Sequence, residues 1–145
     1  MMNTPTPLHS AETDSLRAAY AALNRNDVGG FVAIFDPQIE RVEFPDSPHG
    51  GTYRGLEAVT AHVAKARGMW AEGSCEPERF IVAPHPSGDR IIVLSHVRVK
   101  LKHETDWREG DTADVYTFRN GKVILSRTFA DQGQALQWAG VELSE

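Results

Sequence analysis

Leu16, Ala19, Tyr20 and Leu23 fall at i, i+3, i+4 and i+7, which predicts an amphipathic helix. Ser10 is placed to cap it, and Glu12 and Asp14 lie in its first turn, the end that favours negative charge. Residues 1–9 are polar, carry Pro5 and Pro7, and read as a disordered lead-in. The same spacing recurs in Val28, Phe31, Val32 and Phe35 behind a cap at Asn26 or Asp27, and Asp36-Pro37 is expected to stop this second helix. A strand over 38–44 and turn formers over 45–51 follow. After Gly55 a third helix carries the stripe Val59, His62, Val63 and Ala66, closed by Met69 and Trp70.

From residue 76 the pattern is that of strands: ERFIVA, a Pro-Ser-Gly-Asp turn, then RIIVLSHVRVKLK. A charged turn around 103–110 leads into DTADVYTF, a hairpin at Arg119-Asn120-Gly121, and VILSRTF. Asp131 is placed to cap a closing helix that ends near Trp138. Helices first and antiparallel strands after make an α+β protein. The three helical stripes need a partner, and a curved sheet wrapped around them leaves a concave mouth where a pocket forms.

Composition narrows the function. The 145 residues suit one domain, residues 10–145, with a core that needs no staples. The net charge of −5 disfavours nucleic acid and anionic membranes as partners. A single cysteine, Cys75, excludes an internal disulfide and fits a reducing compartment. The longest apolar run, Ala18 to Leu23, is far short of a membrane span, and MMNTPTPLHS has no signal-peptide pattern, so the expectation is cytoplasmic. No two histidines stand at metal-ligand spacing, no phosphate-loop spacing surrounds Gly50-Gly51 or Gly55, and there is no Gly-x-Ser-x-Gly elbow. Neither a metal nor another cofactor is expected. His9, His49, His85 and His103 fall in loops or the tail and call for no chemical role.

Four strings, LRAAYAALNRNDVGGFVAIFDP, EFPDSP, GGTYRGLEAVTAHV and DVYTFRNGKVILSRTFAD, occur in the order found in a known group. Over residues 12–140 the chain resembles the nuclear transport factor two superfamily. Within that superfamily it is most similar to the SnoaL-like branch of polyketide cyclases and ketosteroid isomerases. The resemblance implies a cone-shaped barrel, three N-terminal helices packed in a curved antiparallel or mixed sheet, with one internal cavity. It also implies a homodimer formed through the sheet. It leaves the reaction open, because the superfamily includes isomerases, cyclases, dehydratases, epoxide hydrolases and proteins without catalysis.

Asp114 is the leading catalytic candidate. It shares a strand face with Tyr116 and Phe118, where lost solvation raises a carboxyl's pKa. It also resembles in position the protonated aspartate of ketosteroid isomerase, which implies a neutral carboxyl that donates to the developing enolate while Glu43 removes the proton. Hairpin register decides its neighbour. A two-residue type I′ turn sets Asp114 opposite Arg127 and favours an ion pair, whereas a type I turn with a glycine bulge sets it opposite Ser126. The sequence permits both.

Glu43 resembles the isomerase's general base in place but not in length, and competes with the reading of a solvated strand-end glutamate beside Glu40, Arg41 and Asp46. His96, on the mixed face Ile92, Leu94, His96 and Arg98, is a reserve proton shuttle or else an outward or dimer-face histidine. The position of the isomerase's oxyanion tyrosine falls at Ala19, with Tyr20 about 100° round the helix. Ketosteroid isomerase activity itself is therefore disfavoured. Tyr20, Phe44, His62, Trp70, Tyr116, Phe118 and Ser126 are the expected ligand-binding residues, and His62 and the aromatics read equally as core.

The leading functional expectation is a cofactor-free acid–base enzyme of isomerase, cyclase or dehydratase type acting on a small hydrophobic carbonyl compound. A non-catalytic ligand-binding protein and a dimerisation module are the alternatives. Epoxide hydrolysis is set aside, because Thr128 stands where that branch carries an acid.

Overall fold

The computed structural model describes residues 7–44, 50–86 and 88–141. The element order is α1 (Pro7–Asn24), α2 (Val28–Val32), β1 (Phe35–Glu43), β2 (Gly51–Arg54), α3 (Leu56–Gly68), β3 (Trp70–Ala83), β4 (Arg90–Leu101), β5 (Trp107–Arg119), β6 (Lys122–Phe129) and α4 (Gln132–Trp138). Of the expected lead-in at 1–9, residues 7–9 belong to α1 and residues 1–6 lie outside the described residues, as do residues 45–49, His49 included, of the expected turn at 45–51.

The six strands form one curved sheet in the order β2-β1-β6-β5-β4-β3. It is mixed: β1 runs parallel to β6, and the other four pairs are antiparallel. Among the described residues the sheet does not close into a barrel, and β2 and β3 are its edges. Its inner face buries Ile91, Val93, Tyr116 and Val123 against Leu16, Ala19 and Tyr20 of α1, Phe31 of α2, and Val59 and Val63 of α3. On the outer face α4 sets Ala135 and Leu136 over Ile92, Leu94, Ala113 and Val115. Helices therefore cover both faces of the first half of β4, which explains its unbroken buried run Ile91 to Ser95. No helix among the described residues is long and apolar enough to cross a membrane.

Several elements differ from the sequence expectation. α1 begins at Pro7, before Ser10, with proline at the first helical position where its missing N–H costs nothing. α2 stops at Val32, and Phe35 enters the sheet opposite Val123. The β1–β6 ladder breaks between Phe35 and Glu40, so Pro37 sits where no ladder donor is required. Trp70 opens β3 instead of closing α3, and the strand region starts there, not at residue 76. Polar residues and Pro77 disguise β3 because it is an edge strand, pairing among the described residues only with β4. Its Gly73 has φ +119°, and a Cβ there would overlap the Arg98 carbonyl oxygen.

The β5–β6 hairpin follows neither predicted register. Asn120 and Gly121 both have positive φ, as a type I′ turn requires, and Arg119 pairs with Lys122. An irregularity beyond Phe118 then shifts the ladder, since Phe118 pairs with Val123 but Thr117 with Leu125. Asp114 consequently opposes Thr128, while Arg127 opposes Val115 and lies over the Phe129 and Trp138 rings.

Candidate active site

Strand alternation in β1 sends Ile39, Arg41 and Glu43 to the inner face, where Arg41 and Glu43 meet β6. Arg41 Nη1 donates to Ser126 Oγ at 2.7 Å and its Nε to Glu43 Oε2 at 2.9 Å. Glu43 has both oxygens engaged: Oε1 accepts from Thr128 Oγ1 at 3.0 Å, and Oε2 also meets His62 Nε2 at 2.8 Å. Since an ionised carboxylate only accepts, His62 Nε2 is the donor in this contact. The His62 ring stacks on Tyr53 with centroids 3.9 Å apart.

A second cluster stands on β5 and α1. The Tyr20 hydroxyl donates to Asp114 Oδ2 at 2.5 Å, and the Tyr116 hydroxyl reaches the same oxygen at 3.3 Å. The two hydroxyls are 2.8 Å apart. Among the described residues Asp114 Oδ1 accepts no hydrogen bond.

Both clusters open on one cavity of about 340 Å³. Tyr20, Arg41, Glu43, Arg108, Thr112, Asp114 and Thr128 give it polar groups, and Leu23, Phe44, Met69, Trp70, Val97, Val99, Leu101 and Phe129 its apolar walls. Cys75 also reaches it.

Burial drives the electrostatics. It raises the Asp114 carboxyl above its ordinary value, although the Arg41 charge and the tyrosine hydroxyls pull the other way. Burial pushes the Glu43 carboxyl up as well, but Arg41 and the hydrogen bond from His62 outweigh it and bring it down to about 2. The Tyr20 and Tyr116 phenols are held well above 10 by burial and the Asp114 charge, so they remain donors. Burial and Asp114 likewise lift the Cys75 thiol to about 12. Arg41 stays charged, since Glu43 more than offsets the effect of its burial.

The fold thus brings together Asp114, Glu43, Tyr20, Phe44 and Trp70 at the cavity, with Tyr116, Ser126 and His62 bonded to the groups that line it. Tyr20, one position from Ala19, does reach Asp114, because the helix turns that face onto β5. His96 is not brought there. It pairs with Asp111 on the opposite face of the sheet from Asp114, its ring nitrogens 2.7 Å from Asp111 and Glu109. Hydrogen bonds to those carboxylates raise its pKa. Phe118 shares the Asp114 face but lies four residues along it, beside His9 and Ile91. Sequence reading overlooked Arg41 and Thr128. The signal for Arg41 was its two-residue spacing from Glu43, and Thr128 needed the true hairpin register. Among the described residues no three His, Cys, Asp or Glu side chains are grouped to hold a metal ion.

The profile of the SnoaL-like domain family matches residues 16–125. An NTF2-like protein of unknown function from Burkholderia pseudomallei K96243 is similar at 27% identity and TM-score 0.71, over 91% of this chain and 99% of that one. TerC, co-crystallised with polyporic acid, is similar in fold at TM-score 0.70 and 20% identity, over 90% and 98% of the two chains. A protein described as a SnoaL-like polyketide cyclase from Jannaschia sp. CCS1 has TM-score 0.74 at 12% identity, over 98% and 100%. No curated protein matches the chain.

Proposed function

The chain belongs to the SnoaL-like domain family, and on that premise we propose that it is an acid–base enzyme acting on a small hydrophobic carbonyl compound. The observation that carries this reading is Asp114: half-buried in the cavity wall, with Tyr20 and Tyr116 on Oδ2 and no hydrogen bond on Oδ1 among the described residues. A desolvated carboxylate with a raised pKa is a stronger base than one in water, and the two tyrosines fix its orientation. Asp114 Oδ1 takes a proton from the carbon beside the substrate carbonyl and returns it at another atom. The negative charge that develops on the substrate oxygen is stabilised by the field of Arg41.

Glu43 serves differently from the base its position suggested. With its carboxyl at about 2 and both oxygens engaged, it is a weak base. Its work is to hold Arg41 and His62 in place. A neighbour of the same fold was co-crystallised with polyporic acid, which agrees with a small organic molecule as the occupant here.

The test is loss of α-proton signals from a panel of neutral ketones incubated with the protein in D₂O, followed by proton NMR. Asp114→Asn is expected to slow exchange by about 10²-fold or more with the circular dichroism spectrum unchanged. Exchange that survives Asp114→Asn would overturn the assignment of the base. Ketones that raise the melting temperature of the wild-type protein without exchanging would make it a binding protein.

A further inference from the structure

Beside the main cavity lies a second hollow of about 140 Å³, bounded by α1, α2, α3, β1 and the start of β3. Arg41, Glu43, Ala66 and Trp70 are walls of both, so the two compartments adjoin. His62, Val63 and Arg67 line only the smaller one.

The charges on these walls do not cancel. Arg41 is matched by Glu43 at 2.9 Å. Arg67 has no carboxylate within 4.0 Å among the described residues. Its Nε and Nη2 donate to the Leu23 and Asn24 carbonyl oxygens at 2.7 and 3.1 Å, and its guanidinium carbon stands 4.5 Å from the centre of the Trp70 ring. Neutral acceptors and an aromatic face hold Arg67 rigidly without neutralising it. Two guanidinium groups against one carboxylate leave the small compartment with an excess positive charge. The main compartment is mostly apolar and has its base at Asp114. Arg108 also lines it but is paired with Glu104 at 2.6 Å, so among the described residues the guanidinium of these walls without a carboxylate partner is that of Arg67.

We propose that the ligand is an oxo acid: a hydrophobic ketone whose carbonyl lies at Asp114 and whose carboxylate arm passes Ala66 to reach Arg67. This rests on the carbonyl-compound reading of the main cavity and adds the anionic arm. Ala66 sets the passage, because its short side chain leaves the wall between the compartments low. Arg67 supplies the charge that the arm meets.

The probes are straight-chain methyl-ketone carboxylic acids of increasing length, from levulinic acid upward, each compared with its methyl ester by titration calorimetry. At the length that spans both compartments the acid is expected to bind about tenfold tighter than its ester, as a charge-assisted contact supplies. Arg67→Gln should bring that ratio to about one, and Arg67→Lys should keep part of it. Because Arg67 also braces the end of α1, Ala66→Leu gives an independent variant that leaves the guanidinium in place. It should lower the ratio for the long acids and leave levulinic acid unaffected.

Equal or tighter binding of the esters by the wild-type protein overturns the proposal, as does a ratio indifferent to both variants. Absence of binding by every acid overturns it too. Asp114-dependent exchange of neutral ketones without an acid preference would sink this inference alone. Arg67-dependent acid binding without any exchange would sink only the catalytic reading.

Discussion

Tyr20 and Asp114, 94 positions apart in the chain, meet at 2.5 Å and join the first helix to the middle of the sheet. The pair sets opposing influences on one carboxyl. Burial raises the Asp114 pKa, and the Tyr20 hydroxyl, by stabilising the ionised form, lowers it again. Tyr20→Phe removes only the second influence. The limb of the pH–rate profile that requires ionised Asp114 should then move to higher pH, with a lower rate at neutrality. A carboxyl-carbon NMR titration of Asp114 checks the same shift directly, and an unmoved titration would show that the hydrogen bond does not tune this acid.

Glu43 makes the protein sensitive to acid. Its carboxyl titrates at about 2 in the folded protein, against an ordinary value of 4.5. A depressed carboxyl gives stability that is fully present above the unfolded value and is lost as pH falls through the folded one. Between about pH 4.5 and pH 2 the protein should therefore lose about 3 kcal/mol from this group. Glu43→Gln leaves the Arg41 guanidinium buried without its counter-ion, at a cost of about 3–5 kcal/mol. Urea unfolding at pH 7 and across the acid range measures both. A wild-type curve that stays flat from pH 5 to pH 2 contradicts the first expectation, and a Gln variant as stable as wild type contradicts the second.

Cys75 reaches the cavity yet should be inert. With its thiol at about 12, the thiolate fraction at pH 8 is about 10⁻⁴, compared with about a quarter for an unfolded cysteine. Alkylation by iodoacetamide should be about two to three thousandfold slower in the folded protein than in urea. Comparable rates would mean that the Asp114 neighbourhood is wetter than its burial indicates.

Gly73→Ala tests the edge strand. The new Cβ meets the Arg98 carbonyl oxygen at a backbone angle of φ +119°, where alanine is strained in any case. A loss of about 2–3 kcal/mol is expected, from steric overlap and backbone strain together. Thermal unfolding reads it, and a loss below about half a kcal/mol would mean that β3 can slide on β4 to make room.

Much of the scaffold was legible because it is local. The spacing Leu16, Ala19, Tyr20 and Leu23 identifies α1, and all but half-buried Leu23 are nearly fully buried. Asp27 and Asp131 cap α2 and α4 by accepting from Gly30 N and Gln134 N. Asn120-Gly121 forms the turn its residues favour. The borders that misled were those where tertiary pairing overrides local preference. Phe35 continues a helical stripe but is drawn into β1 by Val123, and the polar start of β3 is a strand because β4 supplies its partner.

The chain by itself determined the α+β class, the helical stripes and the family, since periodicity, capping and turn chemistry are written over a few consecutive residues. It also singled out Asp114, Glu43 and Tyr20. Their roles were decided only by the tertiary structure. A ladder shift beyond the hairpin turn sets Asp114 opposite Thr128, clear of Arg127, and the parallel pairing of β1 with β6 sets Arg41 against Ser126 and Glu43 within reach of Thr128. A carboxyl's acidity depends on which charges and hydroxyls lie within a few ångströms and how much water is excluded, and those neighbours come from distant parts of the chain.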